Sequence, residues 1–365
     1  MEQTRLKQTP LFKLHDDLSA KFAPFGGWLM PIQYEGIIAE HNWTRESASL
    51  FDICHMGEFI IHGDAIGSGL DNIVTFNVST LPLGSCKYGF MLNKEGGIID
   101  DLIVYRLEQE KFMLVVNAAT RCKDFNHIKS NLSTEATLDD ISDHTAKLDL
   151  QGPVSRDVMT GFLGPNILAL KYFSFLELTI LNKKAIVSRT GYTGELGFEI
   201  YIDSEQALEL WNRLLKSEKV RPAGLGARDT LRLEMGLPLY GQDISEDTTP
   251  LEAGLDRFVD FKKDFIGKDI LLEQREQGLN KKLVSFISDT RRSPRHDDKI
   301  IAEKKEVGQV TSGSFSPSLG FGIGIGYVEN GYDWLGLKIA VKNYRSELAA
   351  QITDKPFYKS GSARK

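Results

Sequence analysis

The chain is poor in cysteine: Cys54, Cys86 and Cys122 are its only three, and no CxxC pair occurs. An odd, scattered set excludes a disulfide framework and fits a reducing compartment. No stretch reaches the roughly 18 apolar residues needed to cross a bilayer. The opening residues, MEQTRLKQTPLFKLHDDL, lack a long apolar core and do not read as a secretory signal. A cytoplasmic protein without a membrane role is the expectation. Positive charge is not in excess. The formal net charge of -6 argues against sequence-independent binding to nucleic acid.

Several chemical signatures are also missing. There is no GxxxxGK[ST] phosphate loop, no HExxH, no GxSxG elbow and no His/Cys cluster, so no metal is expected. The run GFGIGIGY has no register that gives G-x-G-x-x-G, and it opens no helix. It reads as a strand that needs close backbone approach. His55, in FDICHMGEF, reads as structural.

What is present is core-forming sequence along the whole length. With 365 residues, against a prior of about 150 per domain, two or three domains are expected. Residues 25–34, FGGWLMPIQY, read as a bent aromatic loop. A short strand is expected at 58–62. A hairpin is expected from 102–107 and 112–116, and a second strand pair from 185–189 and 198–202 around TGYTGELG. Helical spacing at 205–217 places Leu208, Trp211, Leu214 and Leu215 on one face, with Asp203 or Ser204 as the cap. Residues 226–236 read as another helix, with Arg228 and Arg232 one turn apart. The polar stretch 289–299, DTRRSPRHDDK, reads as a surface loop. From about residue 282 onward, short strands and turn signals suggest a small closed β-domain.

Three segments could carry chemistry. In GGIIDDLIVY, Asp100 and Asp101 open an apolar strand and point to opposite faces. One must face an interior or a cleft, where a carboxylate is costly unless paired or used; an ordinary turn would use the same residues. In GYTGELGFE, Gly191, Gly194 and Gly197 let backbone pass close to a ligand. In the strand that follows, Glu199 and Tyr201 lie opposite Phe198, Ile200 and Ile202. A fixed carboxylate there suits an amidine-like N–H edge, although an exposed strand glutamate would look the same. Arg228 suits two-point recognition of a carboxylate, and a structural pairing with Asp229 or Glu234 is the plainer alternative for this helix.

Together these segments resemble the T-protein (aminomethyltransferase) family of the glycine cleavage system. The likeness runs through TPLFKLH, FGGWLMPIQY, FDICHMGEF, GGIIDDLIVY, VVNAATRCKD, QGP, SRTGYTGELGFEIY, GLGARDTLRLEMGLPLYGQD, FIGKD, TSGSFSPSLG and the KPFY tail. The resemblance implies an α+β, three-domain cloverleaf-like aminomethyltransferase fold with antiparallel sheets and a C-terminal small β-barrel. The expected division is 1–280 for two interleaved folate-binding domains, the inner one about 55–140, and 281–365 for the barrel. It also implies transfer of a one-carbon unit from the aminomethyl-loaded lipoyl arm of the H-protein to tetrahydrofolate as co-substrate. The products are 5,10-methylene-tetrahydrofolate, ammonia and the dihydrolipoyl carrier. The family's catalytic aspartate carries over to Asp100, with Asp101 as a structural partner. Folate contacts carry over to Met56, Tyr88, Asn117, Tyr192, Glu199 and Arg228, and the folate tail falls to Tyr358 or Arg364. Cys54 stands where the family usually has serine. Two rivals separate on residues. Folate-dependent demethylases can lack the paired aspartates, and the folate-binding proteins of iron–sulfur maintenance or RNA modification carry KGCYxGQE where this chain has KKDFIGKD.

Overall fold

A computed structural model of the protein describes residues 6–344 and 347–364. Strands β1 (Lys21–Phe25) and β2 (Trp28–Gln33) form a hairpin. This corrects the expectation of an irregular loop at 25–34. Gly26 and Gly27 both have positive φ, 55° and 85°, and supply the two-residue turn whose twist matches that of paired strands.

β3 (Ala48–Asp52) enters a first sheet, and the chain then leaves to build a second. The second sheet contains β4 (Gly57–His62), β5 (Cys86–Leu92), β6 (Ile98–Glu108), β7 (Lys111–Val116) and β8 (Thr137–Asp140), in the order β5-β6-β7-β4-β8. The chain returns through β9 (Thr145–Gln151), β10 (Phe175–Ile180), β11 (Lys183–Ser188), β12 (Gly197–Asp203) and β13 (Val220–Pro222). The first sheet is completed in the order β10-β11-β12-β9-β3-β13. Pairing is antiparallel except that β13 runs parallel to β3. β14 (Lys281–Ser288), β15 (Lys299–Ala302), β16 (Lys305–Phe315), β17 (Gly322–Glu329), β18 (Lys338–Lys342) and β19 (Glu347–Thr353) close into a barrel. The expected α+β fold with antiparallel sheets and a terminal barrel is the observed one.

The run GFGIGIGY lies in β17. A Cβ on Gly324 would sit 2.4 Å from the Phe286 ring, and one on Gly326 would sit 2.4 Å from the Gln309 carbonyl. The glycines therefore serve close packing inside the barrel. The polar stretch at 289–299 is the exposed connection between β14 and β15.

The helix expected at 205–217 begins as a 3-10 turn at Ser204–Gln206 and continues as Ala207–Leu214. Asp203 caps it by accepting the Glu205 N–H at 3.0 Å. Its buried face is Ala207, Leu210, Trp211 and Leu214, while Leu208 is 49% exposed. The face is turned from the expected one because the stripe starts at Ala207, and steps of three and four from there reach Leu210 and Trp211. This face packs on Leu148, Leu150, Phe198 and Ile200 of the first sheet. Each fully buried large apolar side chain contributes roughly 1.5–3 kcal/mol.

The helix Leu225–Glu234 fastens the parts together. Arg228 and Arg232 lie one turn apart but take different partners. Arg232 is 1% exposed and pairs with Asp243 at 2.7 Å, with Asp229 at 2.8 Å, and with the barrel hydroxyl of Ser312 at 2.9 Å. Glu234, from the same helix, holds Arg45 at 2.8 Å and accepts from Ser316 and Ser318. Removing one partner of a buried ion pair leaves the other charge unpaired in the interior. Arg232→Ala should therefore cost about 3 kcal/mol or more in urea unfolding. A loss under about 1 kcal/mol would show that the pair is not a fastening.

Candidate active site

The two sheets face one another, and their facing surfaces carry unusual numbers of polar groups. On β9, Ala146, Leu148 and Leu150 join the apolar core, while Lys147, Asp149 and Gln151 point the other way. All three are buried. On β12, Phe198, Ile200 and Ile202 join the same core, and Glu199 and Tyr201 face the polar side, as the alternation predicts.

These buried groups are paired. The Lys147 ammonium lies 3.0 Å from Glu199 and donates to Met56 Sδ at 3.3 Å. Thr190 donates to Glu199 at 2.6 Å. Burial pushes the Glu199 carboxyl up, but Lys147, Thr190 and Arg228 outweigh it and hold the group below its ordinary value. Arg228 makes a short ion pair with Asp149, whose second oxygen accepts from Gln151 at 2.6 Å. Burial still raises Asp149 to about 6, against the pull of Arg228. The Arg228 guanidinium also lies 5.2 Å from the centre of the Tyr192 ring. Tyr192 donates to the Pro238 carbonyl.

The second cluster comes from the other sheet. Both aspartates lie in β6, which begins earlier than the expected hairpin strand. Asp100 is fully buried, whereas Asp101 is half-buried. Tyr88, across on β5, donates to Asp101 Oδ2 at 2.8 Å. Asn117, just beyond β7, donates through Nδ2 to Asp101 Oδ1 at 2.8 Å and to Asp100 Oδ1 at 2.9 Å. Its backbone N–H reaches Asp100 Oδ2 at 3.0 Å. The side chains do leave opposite faces, yet one asparagine at the strand's end reads both. Burial and the Asp100 charge raise Asp101 to about 7, against the hydrogen bonds from Tyr88 and Asn117. Asp100 is pushed well above the ordinary range, first by burial and then by the Asp124 carboxyl.

The residues named from the sequence thus fall into two groups. Tyr88, Asp100 and Asn117 meet around Asp101; Met56, Glu199 and Arg228 meet around Lys147 and Asp149. Tyr192 stands between the groups, feeling Asp101 on one side and touching Arg228 on the other. Met56, Tyr88, Asp101, Asn117, Tyr192 and Arg228 are all partly open, while Glu199 and Asp100 are sealed. The two tail candidates separate. Tyr358 packs its ring 4.1 Å from the Arg45 guanidinium and donates its N–H to Glu234. Arg364 follows a segment laid on the glycine-rich hairpin, where Ala363 N–H donates to the Gly194 carbonyl at 3.1 Å.

Several neighbours went unnamed at the sequence level. Lys147, Asp149 and Gln151 left a signal, the alternation in TAKLDLQ. Asp124 closes the motif VVNAATRCKD, yet nothing in that motif marked it as a buried acid. Cys54 is buried, burial pushes its thiol well up, and the thiol points at the Lys147 carbonyl at 3.5 Å. That environment is the reverse of what a reactive thiol needs. Burial lowers His55 to about 4, which keeps it neutral. Among the described residues no cluster of three or more His, Cys, Asp or Glu could hold a metal ion, and no helix is long and apolar enough to cross a membrane.

Two family descriptions match this chain. The GCVT N-terminal domain covers residues 11–263, and the glycine cleavage T-protein C-terminal barrel domain covers 281–359. Fold and site thereby define a group-transfer enzyme with a terminal barrel. The aminomethyltransferase of Caldanaerobacter subterraneus subsp. tengcongensis is 44% identical over 360 residues, covering 97% of this chain and 96% of that protein. That of Halothermothrix orenii is 44% identical over 356 residues, covering 96% and 100%. The crystal structure of glycine cleavage system aminomethyltransferase T from Bartonella henselae superposes with a TM-score of 0.92 at 34% identity, covering 98% and 99%. The chain belongs to the glycine cleavage T-protein family of aminomethyltransferases.

Glu58, on β4, is a buried acid without a hydrogen-bond partner. Both carboxyl oxygens of Glu58 are buried and accept no hydrogen bond, and burial raises the group to about 8. Its proton is held more tightly in the folded state than in the unfolded chain. Its stabilising contribution is therefore complete below the ordinary glutamate value and is lost as pH rises towards 8. Glu58→Gln cannot titrate. The stability of this variant relative to the parent should rise between pH 5 and pH 9, by on the order of a few kcal/mol. Calorimetric melting across that range reads it; a constant difference would contradict the burial argument.

Proposed function

We propose that the protein moves the one-carbon unit of an aminomethyl group, held on the lipoyl arm of the H-protein, to tetrahydrofolate, with Asp101 as the carboxylate at the reacting carbon. The carbon loses its bonds to ammonia and to the lipoyl sulfur and gains two bonds to folate nitrogens. The two folate N–H protons leave with ammonia and the dihydrolipoyl thiol. Positive charge develops at the carbon as its nitrogen departs, and a fixed carboxylate beside it stabilises that charge.

The observation that carries this reading is the hydrogen bonding of Asp101 by Tyr88 and Asn117 at the partly open side of β6. The Asp101 carboxyl sits at about 7, which suits a group that must take a proton and return it near neutral pH. Asp100 is sealed and saturated by Asn117. The geometry therefore favours exchanging the roles expected from the sequence, with Asp101 meeting the substrate and Asp100 supporting it.

The donor set fits a folate. Glu199 is held ionised, but it is buried and both its oxygens are engaged by Lys147 and Thr190; it meets the paired N–H groups of a pterin edge only by exchanging those partners for the ligand. Met56, Tyr88, Asn117, Tyr192 and Arg228 supply the walls. Arg364 suits the acidic folate tail better than Tyr358, which is already engaged by Arg45. We assign folate binding to the two interleaved sheets of 1–280, with the inner unit at about 55–140 and the barrel at 281–365 as the support behind them. The reaction needs no metal, and a cytoplasmic setting suits its partners.

Asp101→Asn keeps the shape and removes the charge. Turnover with the aminomethyl-loaded carrier should fall by at least about 100-fold, with tetrahydrofolate affinity kept within a few-fold. Near-parent turnover would refute the assignment. Glu199→Ala should raise the tetrahydrofolate dissociation constant by about tenfold or more, equivalent to about 1.4 kcal/mol. An unchanged constant by fluorescence titration would remove Glu199 from the pterin edge.

A further inference from the structure

Lys147 is the one fully buried lysine among the described residues, and the reaction as described gives it no task beyond pairing. Its ammonium carries three N–H donors. A buried cation that only fastens the fold fills its donors. Lys263, with a side chain 8% exposed, donates to the carbonyls of Asp71, Val74 and Asp264. Arg232 is filled in the same way by Asp229, Asp243, Ser312 and the Leu237 carbonyl.

Lys147 is not filled. The structure gives it one strong acceptor, Glu199 Oε1 at 3.0 Å, and one weak one, Met56 Sδ at 3.3 Å. Asp149 lies two residues along the same face of β9 and directly across from Glu199. It cannot take the ammonium over, because Arg228 and Gln151 already hold its two oxygens. Glu199 is therefore the only counter-charge Lys147 has, and Glu199 is also the group assigned to the pterin edge.

That double use sets a condition on the ligand. When ligand N–H groups take the Glu199 carboxylate, the ammonium is left in a dry interior without an acceptor, which is costly. A pterin removes that cost. Beside the ring N–H that pairs with a carboxylate it carries a carbonyl, at its 4-position. We infer that Lys147 is a specificity-determining residue: as the pterin edge takes Glu199, the ammonium passes to the 4-carbonyl of the same ring. Glu199 and Lys147, in contact in the empty site, then read the N–H and the C=O of one ring amide as a matched acceptor and donor. A ring with an amino group at that position would present a donor to a donor and strand the ammonium, and a site built around a hydrogen bond rejects an analogue that lacks it. This inference rests on the reading of Glu199 given above.

The test compares two ligands on the intact protein at the same pH: tetrahydrofolate and its 4-amino analogue, each titrated by fluorescence. The parent should prefer the 4-carbonyl form by about 100-fold. Lys147→Met keeps the length of the side chain and removes the donor. It should shrink that preference by at least about tenfold, chiefly by weakening tetrahydrofolate. Lys147→Met that weakens both ligands equally overturns the inference, because a merely structural lysine would lower both affinities alike. Should Lys147→Met fail to fold, Lys147→Gln carries the same comparison, with a neutral donor in place of the charged one and a smaller preference expected than in the parent. A parent that binds the two ligands within about threefold of each other refutes the inference without any variant. An unchanged tetrahydrofolate constant in Glu199→Ala would instead defeat the reading of Glu199. A weakened Glu199→Ala together with an unaltered preference in Lys147→Met defeats this inference alone, so the two failures are distinguishable.

Discussion

Lys147 can leave water because Glu199 sits 3.0 Å from its ammonium and Asp149 and Gln151 share its face of β9. A lone buried cation would cost several kcal/mol. Once that face is polar, the strand beside it must answer, and β12 does so with Glu199 and Tyr201. Arg228 must answer Asp149, which ties the helix Leu225–Glu234 to the sheet. The opposed sheet meets this surface with a second polar set around Asp101. Between the two sheets, paired charges therefore stand beside an apolar cluster to which Tyr105 and Met113 of one sheet and Tyr201 of the other contribute.

The two carboxyl groups closest to the proposed chemistry differ in their surroundings more than in their position. Asp100 and Asp101 are neighbours in sequence, share Asn117, and are both raised by burial. Tyr88 bonds the one that stays partly open, which is the one proposed to meet the substrate. The other is fully buried and holds two hydrogen bonds from Asn117. Glu199 shows the opposite outcome, since an ammonium and a hydroxyl beside it overcome the effect of burial and keep it ionised. Environment assigns three carboxyls three different states.

Much of this was legible in the residues. Alternation in FEIYI places Glu199 and Tyr201 away from the core, and turn signals from 282 onward mark the barrel. The family pattern gathered most of the site's walls. Three things were not legible for physical reasons. Which of Asp100 and Asp101 stays partly open depends on which face of β6 is covered, and alternation within the strand does not say which face that is. The hairpin at β1 and β2 was hidden because its aromatic and proline residues mask a short strand, although the Gly26-Gly27 pair did carry the turn. The turned face of the helix Ala207–Leu214 depends on where its first residue falls, which a periodic stripe leaves open by a position or so.

Arg232 also bears on how such a protein can be reshaped. It sits at the junction of the two sheets and the barrel, with acids from its own side and a hydroxyl from β16. A barrel borrowed from an unrelated protein would bring apolar packing but no matching hydroxyl, and one buried guanidinium N–H would lose its acceptor. The barrel is therefore not an interchangeable module. Recombination between distant relatives should succeed when the crossover keeps the helix, Asp243 and β16 together as one inherited block, and should fail when it divides them.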